Sequence, residues 1–396
     1  MAGAYSYGPR ETRYAALMRR IMLVTLALST PSLLSACHKD TPSGTASSAS
    51  GTASSASAST NTAAGQPSGA ASTHTDGTEA VGENVASPAS FGLPEPPQLA
   101  PGPIRVKGYP DNVRNGMNDP ADWAGFTKDG AEFGYCATVG AKDPVTEICN
   151  TVDRKSKLVT RTSENRAQQH DNKLAEDLKK WRDASGLTEL KPASPTVQKP
   201  PALTGNWPFT DIVVEVLVAG STATKKGDMT PAVVKLGGAV GDEAPVHPFT
   251  LGSNPKPQAP PHFAVLNFFA LSPGGKELGA VGHFNACEYC DSFDVKRWTV
   301  GSFAAGIYND TGFRHHGKKE YAKAAEYFLK AVFADPAAKL PAYNLACAYA
   351  RMKDPHTQSA LKLAIARGGD ATKKRAPKDA DFELVKNEPW FVELTK

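Results

Sequence analysis

Four cysteines and two adjacent histidines are the residues of this chain whose types and spacing could do chemistry. Cys287-Glu288-Tyr289-Cys290 has the Cys-x-x-Cys spacing that can lower a thiol's pKa and make it a nucleophile for thiol–disulfide exchange. No Trp-Cys-Gly-Pro type context and no βαβ pattern surrounds it. The same pair with His283 and either Cys136 or Cys149 would supply the nitrogen and sulfur ligands of tetrahedral zinc, although Cys136 and Cys149 are not spaced as in a zinc ribbon. The third chemistry is structural: Cys136–Cys149 and Cys287–Cys290 each close a local loop, and a loop of this size stabilises by roughly 3 kcal/mol in the chain-entropy account. Sequence alone does not choose among the connectivities. His315-His316 reads as a solvated helix face, and Asp291 and Asp294 as loop acids. Cys347 reads as a small core residue. The chain carries no Gly-Lys-Ser/Thr phosphate loop, no Gly-x-Ser-x-Gly and no His-Glu-x-x-His. No catalytic residue, metal site or cofactor is therefore assigned, and the chain is read as non-enzymatic.

The elements that would position these residues point to an α+β fold. Strand-like runs occur at Ile212 to Ala219, Ala232 to Val240, His262 to Leu271 and Leu278 to Asn285. Ser272-Pro273-Gly274-Gly275-Lys276 between the last two predicts a hairpin. Leu174, Leu178 and Trp181 at i, i+4, i+7 predict a helix from about Thr162 to Ala184. A Pro-rich connector lies near residues 191–205. From 37 to 103 the composition falls to Ser, Thr, Ala, Gly and Pro, with too little apolar surface to repay ordering. Such a stretch is a disordered tether of about 40–50 Å reach.

Net charge is +4 at pH 7, yet it is unevenly spread. Residues 37–300 hold 24 Lys and Arg against 28 Asp and Glu, and residues 301–396 hold 16 against 11. The basic end suits its own acidic neighbour or an acidic partner. No basic–aromatic stripe marks a nucleic-acid surface.

The address is written at the N-terminus. Arg19-Arg20 precede a short apolar run, Ile21 to Leu34, that ends in Leu34-Ser35-Ala36-Cys37. This run is short for a transmembrane helix and resembles the lipobox signal of bacterial lipoproteins. The resemblance implies removal of residues 1–36, with Met18 as an alternative start, and lipidation of Cys37. It also implies membrane attachment in the cell envelope, at the outer membrane if the organism is Gram-negative, since His38 stands where an aspartate favours inner-membrane retention. An even number of cysteines outside the cytoplasm favours structural disulfides.

Gly312 and Ala346 stand 34 residues apart. From Ala305 to Ala338 the chain carries Tyr308, Gly312, Tyr321, Ala324, Phe328, Ala331 and Pro336, and this spacing resembles a tetratricopeptide repeat. A second unit begins near Lys339 with Ala342, Tyr343, Asn344, Leu345, Ala346 and Tyr349. Phe382, Trp390, Phe391 and Leu394 suit a terminal element that closes the array. His315 stands where the family prefers a tyrosine. The resemblance implies antiparallel helical hairpins over 301–396, after a mixed or β-rich domain over 104–300, and a protein partner on the concave face. Repeat register places Asn309, Arg314, Lys318, Asn344 and Arg351 as partner contacts. Two repeats and a cap fall near the minimum for an independent solenoid, so the module is expected to lean on earlier residues or on a partner. The function expected is an envelope-anchored adaptor or assembly factor. Its alternatives are a redox protein working through Cys287 and Cys290, or small-ligand or glycan binding by residues 104–300.

Overall fold

A computed structural model describes residues 87–107, 122–139, 145–165, 169–190, 207–219, 233–252, 263–285 and 291–396. The lipobox with Cys37, the Cys287–Cys290 pair and the connector near 191–205 lie outside the described residues. The fold is α+β, with strands between 105 and 299 and helices mostly C-terminal.

The strands form three sheets. The first has the order β1 (Arg105–Lys107), β7 (Ile212–Ala219), β8 (Val233–Val240), β9 (Val246–Leu251), with β1 parallel to β7 and the other pairs antiparallel. The second is the antiparallel meander β10 (Phe263–Leu271), β11 (Glu277–Asn285), β12 (Asp291–Thr299). The third has the antiparallel order β5 (Leu158–Thr162), β4 (Thr146–Asp153), β3 (Glu132–Val139), β2 (Trp123–Phe126), β6 (Thr188–Glu189).

The meander is the middle layer, which explains its sequence. A strand buried on both faces reads as a near-continuous apolar run rather than an alternation, and β10 is Phe-Ala-Val-Leu-Asn-Phe-Phe-Ala-Leu. Leu266, Phe269, Leu278, Phe284 and Trp298 join a core with Val214, Leu236 and Phe249 of the first sheet. Phe268 and Val281 enter a second core with Phe126, Phe133 and Tyr135 of the third. A register shift between Leu266 and Phe268 lets β10 feed both.

The outer face of the third sheet is covered by α1 (Asn172–Ser185), which Asp171 caps by accepting from the Lys173 and Leu174 N–H groups. The expected start near Thr162 is corrected: Thr162 closes strand β5, where β-branched Val159, Thr160 and Thr162 fit a pleated edge. Leu178 and Trp181 pack with Cys136 and Cys149 beneath the helix. Arg161 lies 4.0 Å above the Trp181 ring and Arg182 lies 3.9 Å above Trp123.

Helix α2 (Val300–Gly317) follows β12 without a loop, its N-terminus capped by the Thr299 hydroxyl, which accepts from Ser302 N–H at 2.9 Å. Its companions are α3 (Tyr321–Ala334), α4 (Lys339–Met352), α5 (Thr357–Arg375) and the short α6 (Pro389–Thr395). Gly369, at φ 60° and ψ −149°, breaks α5 within its last two turns. Val300, Phe303, Ala304, Ile307 and Tyr308 belong to the core of the first sheet. The expected lean on residues before Val300 is thus a shared hydrophobic core.

The segment before β1 changes the expected tether boundary. Pro88 is buried, and Leu93 is part of the helical core formed by α3, α4 and α5. Gly102 bridges to Trp207 before β1 joins β7. Packing therefore begins by residue 87, not after 103.

Candidate functional site

The helical hairpins were expected to present a partner surface, and close helix contacts form their interior. Between α2 and α3 the approach is close: a Cβ on Gly312 would lie 2.8 Å from Phe328 Cδ1 and 3.1 Å from the Ala324 carbonyl. Ala324, Phe328, Ala346 and Ala360 are fully buried in the core shared by α3, α4 and α5. Small residues face the contact and aromatics fill the space around it.

Tyr343, Cys347 and Arg351, at i, i+4 and i+8, share one face of α4. The C-terminal segment lies across that face. Tyr343 donates its hydroxyl to Asp379 Oδ2 at 2.8 Å, and Arg375 Nε stands 3.7 Å from the same carboxylate. Asp381 meets His316 Nε2 at 3.3 Å and Arg351 Nε at 3.8 Å. Phe382 and Phe391 are 0% and 1% exposed, buried in the core shared by α3, α4 and α5. Burial, then Cys347 and Asp379, push the Tyr343 hydroxyl far above its usual range. The Cys347 thiol and the Asp379 and Asp381 carboxylates lie within 4.8 Å of one another, a metal-like grouping. Arg351, Arg375, His316 and the Tyr343 hydroxyl account for both carboxylates as an ion-pair network.

This arrangement corrects most of the expected partner contacts. Asn309 and Asn344 are buried, and Asn344 Nδ2 donates to Asn309 Oδ1 at 2.9 Å across the α2–α4 contact. Arg351 donates to the Tyr321 hydroxyl and lies 5.2 Å above its ring. Arg314 reaches back to the β8–β9 turn, donating to the Ala244 and Pro245 carbonyls at 2.5 and 2.8 Å. Of the five, only Lys318 is exposed. Repeat register could not show that the chain covers these residues itself. Asp379-Ala380-Asp381-Phe382, two acids just before a buried aromatic, was the missed signal.

A second polar cluster joins α2 and α3 to the first sheet. Tyr308 donates to Asp211 Oδ1 at 2.6 Å, and Lys330 Nζ stands 3.4 Å from Asp211 Oδ2. Burial, reinforced by Asp211, drives the Tyr308 hydroxyl well above its normal range. His315 and His316, expected on a solvated face, are instead buried and largely buried.

Cys136 and Cys149 form a disulfide between directly opposed residues of β3 and β4, with both cysteines fully buried. At the far end of the helical stack, Lys353, Pro355, Gln358, Leu384 and Trp390 line a cleft of ≈230 Å³. That is smaller than a typical small-molecule pocket of about 300–1,000 Å³ and closer to the size of an inserted side chain. Leu384 and Val392 of the terminal element are 46% and 45% exposed. Among the described residues, no helix is long and apolar enough to cross a membrane.

The chain matches no family model, no curated protein and no solved structure.

Proposed function

We propose that this chain is an envelope lipoprotein, anchored through Cys37, that acts as a non-enzymatic protein-binding adaptor through tetratricopeptide-like hairpins. The observation that carries the reading is the helical module itself. Small residues at the repeat positions Gly312, Ala324, Ala346 and Ala360 bring antiparallel helices into close contact. Because Asp379–Phe382 covers one face of α4 while α6 packs on α5, the proposed partner surface lies at the outer end of the stack. There Leu384 and Val392 stand exposed, with Leu384 lining the cleft. An exposed apolar edge beside a side-chain-sized cleft suits an apolar anchor residue on a partner protein.

Two measurements test this. A Cys37→Ser chain is expected to lose metabolic fatty-acid labelling and to leave the membrane fraction. Photo-crosslinkers at Leu384 and Val392 are expected to trap one discrete envelope protein in intact cells, and Leu384→Asp with Val392→Asp to abolish its recovery. Labelling that survives Cys37→Ser removes the anchor from the proposal. Recovery unchanged by the double variant removes the surface.

A further inference from the structure

The end of the α4–α5 hairpin that lies away from its turn is basic. Residues 367–378, the last part of α5 and the turn after it, hold five Lys and Arg against one Asp. Two arginines fasten this stretch to the start of α4. Arg367 Nη1 donates to the Ala338 carbonyl at 3.0 Å. Arg375 lies 4.1 Å over the Tyr343 ring, with its Nε 3.7 Å from Asp379. Lys339, which opens α4, therefore stands at the same end as Lys373, Lys374 and Lys378. Lys339, Lys374 and Lys378 are exposed, and Lys373 is partly so. Among the described residues none of these four lysines pairs with a carboxylate, whereas Lys323 and Lys330 elsewhere in the helices do. Of the acids at this end, Asp379 is engaged by Arg375 and Tyr343, and Asp335 accepts from the Ala337 N–H. Asp370 is exposed.

We infer that this basic end, formed by Lys339, Lys373, Lys374 and Lys378, docks on the anionic phospholipid surface to which the chain is tethered. The entry of the chain into the fold places that surface within reach. The turn Pro88–Phe91 packs on α5, the helix that carries the lysines, and Pro88 and Leu93 are buried. Only residues 38–86 separate this entry from Cys37, and a Ser/Ala/Gly-rich stretch of that length reaches about 40 Å. The anchor at Cys37, itself part of the proposed function, supplies proximity, and the lysines supply orientation. Charge decides the class of partner. Residues 367–378 offer no large apolar side chain, and a protein interface needs such an anchor at its centre. A headgroup layer needs only cations within about a Debye length of it. Helix α4 has 14 residues, about 20 Å of helix, and the cleft lined by Lys353, Pro355, Leu384 and Trp390 lies at the other end of the hairpin. Docking through the lysines turns that cleft away from the bilayer.

Vesicle co-sedimentation tests the docking apart from the anchor. The probe is a chain of residues 37–396 carrying Cys37→Ser, which keeps every described residue and has no acylation site. At low salt it is expected to bind vesicles of phosphatidylethanolamine and phosphatidylglycerol about tenfold or more tighter than vesicles of phosphatidylcholine, and to release as salt shortens the Debye length. A lysine near a charged bilayer is worth about fivefold in partition. Lys339→Gln, Lys373→Gln, Lys374→Gln and Lys378→Gln together should therefore weaken binding by about tenfold or more, with thermal unfolding unchanged. Lys155→Gln, Lys157→Gln, Lys173→Gln and Lys180→Gln together remove the same charge from exposed sites elsewhere and should leave binding within about twofold. Equal binding to the two vesicle types, or equal losses in the two variants, overturns the inference. So does a photo-crosslinker at Lys374 that traps an acidic protein when the chain ignores anionic vesicles. Loss of fatty-acid labelling is read on Cys37 in the native chain, so failure of the anchor and failure of the docking surface are told apart.

Discussion

Arg297 shows what a single residue does in this fold. Its side chain is 3% exposed and stands at the join between the middle and third sheets. It donates to the carbonyls of Gly130, Ala131 and Val152 at 3.0, 2.9 and 3.2 Å, and pairs with Glu277 at 2.5 Å. A guanidinium suits this place because its planar fork can serve several acceptors at once. Arg297→Met fills a similar volume but strands those carbonyls and the Glu277 charge, and removing one partner of a buried pair costs about 3–5 kcal/mol. Equilibrium denaturation of the full chain is expected to show that loss, and a loss under about 1 kcal/mol would show water replacing the guanidinium. Nothing in the sequence distinguished Arg297 from the other charges of β12. Its carbonyl partners lie 145 to 167 residues away, and no local pattern encodes such a separation. Local spacing offered Cys136–Cys149 among the possible connectivities, and the β3–β4 pairing brings those residues opposite each other.

The elements were legible where hydrophobic periodicity was strong. Strand β7 runs over the expected Ile212–Ala219, and β8, β10 and β11 fall within a residue of expectation at each end. The β10–β11 hairpin turns at Ser272–Lys276 as its Pro-Gly-Gly predicts. Strands β1 to β6, β9 and β12 were not anticipated. In β2 to β6 the residues mix Thr, Asn, Glu and Gly with few aliphatics, and this sheet is held by the disulfide, the Arg–Trp stacks and α1 rather than by local pattern. Packing between elements also decides the sign of one substitution at two places on α2. A methyl group on Gly312 presses against Phe328 and the Ala324 carbonyl, so Gly312→Ala is expected to destabilise by about 1–3 kcal/mol through overpacking. Gly317, in the same helix, has nothing within 4 Å of its would-be Cβ. There Gly→Ala is expected to stabilise by about 0.5–1 kcal/mol through helix propensity alone. Thermal unfolding of the two variants should move in opposite directions. Shifts of the same sign would mean that α2 and α3 do not approach closely at Gly312.

At the scale of the whole molecule, composition and the 34-residue spacing suggested a mixed or β-rich part followed by a helical part, divided near Val300, with the helical part leaning on earlier residues or on a partner. The chain does pass from strand to helix between Thr299 and Val300, but its core does not divide there. Phe303, Ala304 and Ile307 are fully buried among Leu236, Phe249, Phe269 and Trp298, and a Cβ on Gly306 would meet the Phe249 ring at 2.6 Å. Lys330–Asp211 and Lys323–Glu243 pair the basic helical part with its acidic neighbour, the complementarity that the uneven charge foreshadowed. A hydrophobic pattern reports which residues are buried and not which layer buries them, and this is why the boundary looked clean in the sequence. A chain stopped after Trp298 leaves Phe249, Phe269 and Trp298 facing water where α2 had covered them. Burying a large side chain of this kind is worth about 1.5–3 kcal/mol, and losing several such contacts at once exceeds much of the net stability of a typical domain, about 5–15 kcal/mol. The truncated chain is therefore expected to lose its near-ultraviolet dichroism and its cooperative unfolding, and to bind hydrophobic dyes. A cooperative transition with native-like dichroism in that chain would show that the sheets close their core without α2. Partner mapping then belongs on the intact chain, with point substitutions at its exposed end.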